Sequence, residues 1–288
     1  MKFYKYQGAG NDFLIADNRA GSIIEKEGVL YSSVEGSEWS MKISELCDRR
    51  YGVGADGLML LESGDGCDFR MTYFNSDGSG GMMCGNGGRC IVAFAADLGI
   101  THFDFIAADG FHSAEIVSFE GRSKVVRLKM KDVEGIVGYD ALSGVSVPSK
   151  GCFLDTGTRH YVRFVEGLDE YDIVSEGRQI RYDASELQPV GANVNFVQPY
   201  SGALKVRTYE KGVEDETFAC GTGIVASCIA AYCEGVDPAH IYKESGRVKF
   251  DVLSKRDGLS VDFIPYGTDK FSDVWLTGPA VYVAEIYV

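Results

Sequence analysis

The chain has 288 residues, with 28 Lys and Arg against 42 Asp and Glu, so its formal net charge is −14. Hydrophobic residues make up 45% and charged residues 24%, as in an ordinary soluble globular protein. The acidic balance argues against a nucleic-acid-binding surface, which needs clustered Lys and Arg. At roughly 100–200 residues per domain, the length predicts two domains.

Targeting signals are not evident in the sequence. The N-terminal MKFYKYQGAGNDFLIAD lacks the apolar core of a signal peptide, and no apolar run approaches the roughly 18 residues of a membrane span. We therefore expect a cytoplasmic protein with no membrane partner, in which the 8 cysteines are reduced. None forms a C-x-x-C pair, so a zinc knuckle or thioredoxin-type site is not expected. Most should be small buried hydrophobes.

Short strand-like runs, punctuated by Gly, Asn, Asp and Ser, outnumber helical segments along the chain. In chain order the pattern predicts strands at 13–17, 58–62, 69–75, 103–108, 113–119, 125–130, 160–165, 195–200, 204–210, 248–253, 259–264 and 280–288. It predicts helices at 39–50, 85–99 and 221–235. The least patterned stretch, 131–151, suggests a domain boundary near the midpoint. We expect an N-terminal unit of 1–132 plus 276–288, and a C-terminal unit of 133–275.

An internal repeat relates the two halves. CGNGGRCIVAFAADLGI (84–100) matches CGTGIVASCIAAYCEGV (220–236) at an offset of 136, and the match extends upstream to two Thr-Tyr pairs, 72–73 and 208–209. Each copy is a strand, a loop, Cys-Gly-x-Gly and a helix that is apolar nearly all round, hence buried. The sequence therefore predicts an α/β (α+β) protein of two pseudo-symmetric domains. Each is a mixed sheet rolled around a central buried helix, and a cleft separates them.

Cys84 and Cys220 stand where a loop enters the buried helix of each copy. Backbone N–H groups and the positive end of the helix dipole meet there, and they favour a thiolate and bind carboxylates. Glycines after each cysteine would let a ligand approach. For one copy alone, a tight turn with a small buried residue is the favoured interpretation, but two matched copies favour function. A pseudo-two-fold axis would make the thiols face each other, which suits removal of a proton from one face of a carbon and delivery to the other.

Five motifs in order carry a resemblance to a known family. GAGNDF (8–13), RRYGVGADGLML (49–60), YFNSDGSGGMMCGNGGRC (73–90), GANVNF (191–196) and YEKGVEDETFACGTG (209–223) resemble diaminopimelate epimerase, and GPAVYV (278–283) is similar as well. The resemblance implies a small-molecule amino-acid substrate and no cofactor, neither pyridoxal phosphate nor metal. It implies interconversion of LL- and meso-diaminopimelate, in lysine and peptidoglycan precursor synthesis, with Cys84 and Cys220 as the acid/base pair. Members often form homodimers.

The resemblance also implies roles for further residues, position by position. Glu210 and His160 correspond to polar partners close to the thiols. Residues implied to bind substrate are Asn11, Asn75, Gly85, Asn86, Asn193, Lys211, Gly221, Thr222 and Thr158. On the residues alone, Asx-turns in loops are the favoured interpretation of Asn11, Asn75 and Asn193. His160 equally fits a structural histidine, and Glu210 a solvated strand end.

Departures from the family pattern bear on the substrate. Lys211 stands where the family commonly has Arg, which keeps the charge but loses the bidentate fork for a carboxylate. Gly157-Thr158-Arg159-His160 replaces Gly-Asn-Pro-His, so an amide and a proline are lost and a cation is gained. Both changes fall at positions associated with the distal end of the substrate. A racemase or epimerase of the same family acting on another amino acid is therefore an alternative reading.

Three other functional interpretations are less well supported by the sequence. The string Gly52 to Gly57 matches G-x-G-x-x-G, but a helix-like segment precedes it and a strand follows, the reverse of a dinucleotide-binding unit. Cys84, Cys90 and His160 form no tight cluster of metal-ligand spacing. A non-catalytic protein that binds a small ligand would have no use for both thiols at the helix starts, and alanine at both would leave its function intact.

Overall fold

The structure is a computed structural model that describes residues 1–34, 37–81 and 83–288. Clustering of backbone contacts gives two compact units, residues 1–128 with 278–288 and residues 129–277. Both are mixed α/β units in which strands outnumber helices. Each contains one copy of the repeat, including its apolar helix. This confirms the predicted fold class. Among the described residues, no helix is long and apolar enough to cross a membrane.

The described residues of the first unit form ten strands and two helices, together with the end of the final strand of the chain. They are β1 (Lys2–Gly8), β2 (Asn11–Asp17), β3 (Ile23–Lys26), β4 (Val29–Val34), β5 (Ser37–Lys42), α1 (Ile43–Cys47), β6 (Gly57–Ser63), β7 (Phe69–Asn75), α2 (Gly85–Asp97), β8 (Phe103–Ala107), β9 (Gly110–Glu120) and β10 (Ser123–Lys129).

A closed sheet surrounds α2. The pairing runs β1–β2–β6–β7–β8–β9–β10, and the final strand of the chain pairs with both β10 and β1. The pairs β2–β6 and β7–β8 are parallel, and the other pairs with a defined direction are antiparallel. Residues 85–95 of α2 are all buried, and the helix packs on β1, β2, β6 and β9. A helix that is apolar nearly all round is stable in that position because the sheet covers it on several sides.

The helix predicted at 39–50 is wrong for its first half. Residues 37–42 form β5, which pairs with β4 in a separate three-stranded sheet, and only 43–47 are helical. Trp39 and Met41 alternate with exposed Glu38, Ser40 and Lys42 and pack against the core. This two-residue alternation is the period of a half-buried strand, which explains why residues 37–42 are not helical.

The second unit contains ten further strands, the start of the final strand, two α-helices and two short 3₁₀ turns. They are β11 (Val133–Glu134), β12 (Ile136–Tyr139), β13 (Gly151–Asp155), β14 (Arg159–Phe164), a 3₁₀ turn (Leu168–Glu170), α3 (Ile173–Asp183), a 3₁₀ turn (Ser185–Leu187), β15 (Asn193–Tyr200), β16 (Ala203–Glu210), β17 (Asp215–Thr217), α4 (Gly221–Cys233), β18 (His240–Tyr242), β19 (Arg247–Leu253), β20 (Gly258–Tyr266) and β21 (Lys270–Tyr287).

A mixed sheet in the second unit has a helix on each face. Its strands run β13–β14–β15–β16–β19–β20–β21, with parallel pairing at β14–β15 and β16–β19. Tyr161, Val194 and Tyr209 pack in the core that includes α3. Because successive side chains point to opposite faces, His160, Asn195 and Thr208 face the other way, toward α4. That alternation places a row of polar side chains behind the α4 helix.

The helix α3 was not predicted, because Gly177 in its centre reads as a breaker. In the structure a Cβ at Gly177 would lie 2.5 Å from Cβ of Tyr209, so glycine is what lets α3 approach β16. Asp172 caps the helix by accepting a bond from the amide of Ser175 at 3.1 Å. The predicted helices at 85–99 and 221–235 are confirmed as α2 and α4. Each predicted strand overlaps an observed strand.

Candidate active site

Each repeat places its cysteine as the N-cap residue of the central helix. Cys84 and Cys220 both have extended backbone, and neither side chain caps its own helix. The first helical bonds are donated by Gly88 N to Cys84 O at 2.7 Å and by Ile224 N to Cys220 O at 2.8 Å. The amides of 85–87 and 221–223 therefore precede the helical ladder of each helix. Each thiol thus lies beside a set of amide donors and a positive dipole end.

The other cysteines do not share this environment. Burial raises the pKa of the Cys47 thiol to about 11 and that of Cys152 to about 12. Burial also raises the pKa of Cys90 and Cys228, which lie inside α2 and α4. A thiol held protonated in apolar surroundings is inert at neutral pH. Among the residues that the structure describes, no three His, Cys, Asp or Glu side chains are grouped to hold a metal ion.

In the first unit, two predicted substrate-binding residues are joined by hydrogen bonds. Asn86, in the first turn of α2 and 1% exposed, donates its side-chain amide to Oδ1 of Asn11 at 2.6 Å. Asn11 donates to Oδ2 of Asp56 at 2.9 Å. Arg89, fully buried one turn after Cys84, donates to Oδ1 of Asn86 at 2.8 Å and to the carbonyl of Gly85 at 3.2 Å. This network fixes the orientation of both asparagine amides.

The outer end of this network is ionic. Arg49 donates to Oδ1 of Asp12 and to Oδ1 of Asp56, both at 2.6 Å. Burial alone would raise the pKa of Asp12, but hydrogen bonds from Arg49 and Lys5 outweigh burial, and the pKa is lowered. Asn75 is held elsewhere, in the turn after β7, where its side chain donates to Oγ of Ser79 at 3.0 Å. The structure therefore joins Asn11 and Asn86 in one network and holds Asn75 in a separate turn.

In the second unit, His160 lies at the centre of a polar cluster behind the start of α4. Its Nε2 is 2.9 Å from Oγ1 of Thr158 and 3.0 Å from Oγ1 of Thr222. Its Nδ1 is 2.9 Å from the side-chain amide nitrogen of Asn195. Oγ1 of Thr222 is 3.4 Å from Sγ of Cys220. The cluster thus connects a buried imidazole to a candidate catalytic thiol through one hydroxyl.

Burial lowers the pKa of His160 from 6.5 to about 3. Below pH 6.5 the unfolded chain binds a proton at this imidazole and the folded chain does not, so stability falls as the pH drops from 6.5 toward 3. Between pH 7.5 and 5.0, the free energy of unfolding should fall by about 2 kcal/mol more in the wild type than in His160→Gln. Urea unfolding at both pH values measures this difference. Equal pH dependence in the two proteins would contradict a neutral buried ring.

The remaining predicted residues of this unit lie at the ends of neighbouring strands. Asn193 accepts a bond from the amide of Lys211 at 2.8 Å and donates to the carbonyl of Arg159 at 3.3 Å. Glu210 accepts from the hydroxyl of Thr217 at 2.8 Å. The guanidinium of Arg159 lies 5.0 Å from the ring centroid of Phe153, and Nη1 donates to the carbonyl of Leu187.

Several residues of these networks were not identified from the sequence. Asn195 could have been found from the alternation in GANVNF, because Asn193 and Asn195 share one face of a strand. Arg89 could have been found as a charge in the apolar part of the helix, since a buried charge needs partners. Arg49 and Asp56 both lie in the motif RRYGVGADGLML (49–60), but neither was assigned a role from the sequence.

Comparison with known families decides the classification. The family model described as diaminopimelate epimerase matches residues 3–109 and 152–263. The chain belongs to the diaminopimelate epimerase family. A relative named diaminopimelate epimerase, from Flavobacterium psychrophilum, is 41% identical over 288 residues, covering 99% of both chains. Another of that name, from Chlorobaculum tepidum, is 39% identical over 279 residues and 95% of each chain. These relatives are isomerases, and the match confirms the resemblance read from the five motifs.

Solved structures support the fold. The match to a crystal structure of the Bacillus anthracis phenazine biosynthesis protein, PhzF family, covers 100% of this chain and 98% of that chain, with a TM-score of 0.71 and 14% identity. At that identity the similarity establishes the fold alone.

Proposed function

We propose that the chain interconverts LL- and meso-diaminopimelate without a cofactor, in lysine and peptidoglycan precursor synthesis. The observation that carries the proposal is the pair of thiols, Cys84 and Cys220, at equivalent N-caps of the two repeated helices. Membership of the family supports the choice of substrate. Two equivalent thiols suit a reaction whose two halves mirror each other, which is the inversion of one stereocentre.

The proposed chemistry uses two bases. The thiolate of one cysteine takes the proton from the α-carbon, and the electron pair of that C–H bond moves toward the adjacent carboxylate. The thiol of the other cysteine delivers its proton to the opposite face of the same carbon. The configuration is inverted, and the thiolate and the thiol have exchanged roles. Both pKa values must be near neutral pH for one group to be charged while the other is not.

Backbone donors would stabilise the intermediate. Removal of the α-proton increases negative charge on the substrate carboxylate. The amides of Gly85 and Asn86 in α2, and of Gly221 and Thr222 in α4, lie at the positive ends of their helices. Preorganised donors at a site of developing charge are a large contribution to catalysis. The Asn11–Asn86 network supports this arrangement, because it fixes the first turn of α2.

The distal end of the substrate is assigned to further residues. Asn75, Asn193, Thr158 and Lys211 are proposed to bind it, with Glu210 and His160 close to the thiols. Asn193 contacts the backbone of Lys211, which ties two of these positions together. Lys211 provides a charge for a carboxylate without the planar fork of arginine.

Incubation of the reduced enzyme with LL-diaminopimelate in deuterium oxide tests the assignment. We expect meso-diaminopimelate that carries deuterium at the inverted α-carbon, because the delivering thiol exchanges with solvent. Chiral chromatography and mass spectrometry measure both. Enzyme that produces no meso isomer and incorporates no deuterium would contradict the proposal.

The second candidate is a racemase or epimerase acting on another amino acid. Lys211 and the Thr158-Arg159 pair, which depart from the family pattern, favour it. A competitive screen of LL-diaminopimelate against single amino acids separates the two, since a preferred single amino acid would retain the mechanism and replace the substrate.

A further inference from the structure

The polar cluster behind α4 is uncharged, and its inner part is buried whereas Thr158 is exposed and Thr222 is half-buried. His160 and Asn195 are fully buried, and Thr208 is 2% exposed. The imidazole is neutral because burial lowers its pKa to about 3, so one of its two nitrogens carries a proton and the other accepts a hydrogen bond. Which nitrogen carries the proton depends on the partner that each one faces.

The partners of Asn195 fix the direction of its amide. Its Nδ2 is 3.4 Å from the carbonyl of Tyr161, which can only accept. Its Oδ1 is 2.9 Å from the hydroxyl of Thr208, which donates to it. Turning the amide over would place two oxygens against each other at the Tyr161 carbonyl. The Nδ2 group therefore faces His160 as a donor, and Nδ1 of the imidazole must accept.

The imidazole proton consequently resides on Nε2, which faces two threonine hydroxyls and, farther away at 3.5 Å, the side-chain amide nitrogen of Asn193. That amide donates to the carbonyl of Arg159 at 3.3 Å, so the short contacts of Nε2 are those with the hydroxyls. Nε2 lies 2.9 Å from Oγ1 of Thr158 and 3.0 Å from Oγ1 of Thr222, and the two hydroxyl oxygens are 3.0 Å apart. With Nε2 as a donor, neither hydroxyl proton is needed at the ring. When the Thr158 hydroxyl donates to Oγ1 of Thr222, the Thr222 proton is available to Sγ of Cys220, 3.4 Å away.

We propose that Asn195 is a positioning residue that sets this direction of hydrogen bonding. By donating to Nδ1 of His160, Asn195 keeps the ring proton on Nε2. The Thr222 hydroxyl then donates to Sγ of Cys220 and stabilises the thiolate. The inference rests on the proposed role of Cys220, which is a thiolate in one half of the reaction. His160 acts in it as a hydrogen-bond donor, and it takes no proton from the thiol.

The packing of α4 shows how closely this cluster is built against the helix. A Cβ at Gly223 would lie 2.4 Å from Oδ1 of Asn195, 3.2 Å from Cε1 of His160 and 3.3 Å from Cβ of Cys220. The first turn of α4 therefore rests directly on the Asn195 amide and the imidazole. The backbone carbonyl of Thr222 is held as well, by the hydroxyl of Thr156 at 3.0 Å.

Nitrogen-15 NMR of histidine-labelled protein tests the tautomer directly. The chain has 4 histidines, and His160→Gln identifies the resonances of His160. We expect a protonated Nε2 and an unprotonated Nδ1 in the wild type. In Asn195→Asp the carboxylate can only accept, so Nδ1 should become protonated. A wild-type ring protonated at Nδ1 would overturn the proposal, and so would an Nδ1 that stays unprotonated in Asn195→Asp.

Alkylation by iodoacetamide, resolved by peptide mass spectrometry at one fixed pH, tests the effect on the thiol. We expect the rate at Cys220, relative to exposed Cys233 of the same chain, to fall about tenfold in Thr222→Val, because a hydrogen bond to a charged group is lost. Thr222→Ser, which keeps the hydroxyl, should stay within about twofold of the wild type. Asn195→Ala should fall at least about threefold, because the ring proton is no longer directed to Nε2.

Thr72→Val provides the matched control. Thr72 is the repeat equivalent of Thr208, and its hydroxyl donates to Glu62 at 2.6 Å. The Cys220 rate should not change in this variant. Equal rates in Thr222→Val and Thr222→Ser would overturn the proposal, as would an unchanged rate in Asn195→Ala. Alkylation needs no substrate, so these results are independent of whether LL-diaminopimelate is turned over.

Discussion

Replacing either Cys84 or Cys220 with alanine is expected to lower kcat for epimerisation by at least about a thousandfold, because each thiol is one of two required proton-transfer groups. The double variant should be little worse than either single one, since residues that act as a unit are not additive. The remaining thiolate can still remove a proton and return one to the same face. We therefore expect residual exchange of one stereoisomer with deuterium oxide, without inversion.

The control variants lie in the same two helices. Cys90→Ala and Cys228→Ala remove thiols whose pKa is raised by burial in α2 and α4. These variants should retain kcat within about threefold and lose about 1 kcal/mol of stability, as expected for a small buried side chain. Steady-state kinetics and urea unfolding separate the two effects. Full epimerase activity in Cys84→Ala or in Cys220→Ala would refute the two-base mechanism.

The second large effect is expected from Gly223→Ala. A methyl group there would lie 2.4 Å from Oδ1 of Asn195, so the first turn of α4 must shift with Cys220. A displacement of about 1 Å at a reacting group costs about a hundredfold in rate, and overpacking costs about 1–3 kcal/mol of stability. We expect kcat to fall by about a hundredfold, with a lower melting temperature.

Gly87 occupies the equivalent position in the first repeat and gives the matched comparison. A Cβ there meets Sδ of Met59 at 3.4 Å and side-chain atoms of Met71 and Phe13 at 3.6 Å, which are ordinary contacts. Gly87→Ala should therefore be neutral or gain up to about 1 kcal/mol from helix propensity. Thermal unfolding measures the difference between the variants. Similar losses of stability in both would contradict the packing described here.

The extent to which the fold follows from the sequence differs between its elements. The helices α2 and α4 were predicted because an apolar run without a polar face has one stable location, inside a sheet. The helix α3 was missed because Gly177 has a low helix propensity. In the structure this glycine lets α3 approach Tyr209, which lies 32 residues later in the chain. The β5 strand was missed because its short two-residue alternation was interpreted as part of a helix, and its pairing with β4 cannot be seen in the local sequence.

The candidate site likewise contains residues that the local sequence pattern predicts and residues that it does not. The two cysteines follow from the repeat, because each precedes a helix start that can be located from the pattern alone. The networks behind them do not, since they join residues far apart in sequence. Asn11 reaches Asn86 across 75 positions, and Asn195 reaches His160 across 35. The roles of the residues that bind substrate stay predictions, as does the identity of the substrate.

The two central helices rest on unlike cores. A Cβ added at Gly87 would face methionine and phenylalanine side chains, whereas a Cβ added at Gly223 would face an amide and an imidazole. In a homodimer of identical halves, any change in one half appears in the other as well. Because both copies of the repeat lie in one chain, each can change independently. The two halves of this chain accordingly hold the first turns of their central helices by different contacts.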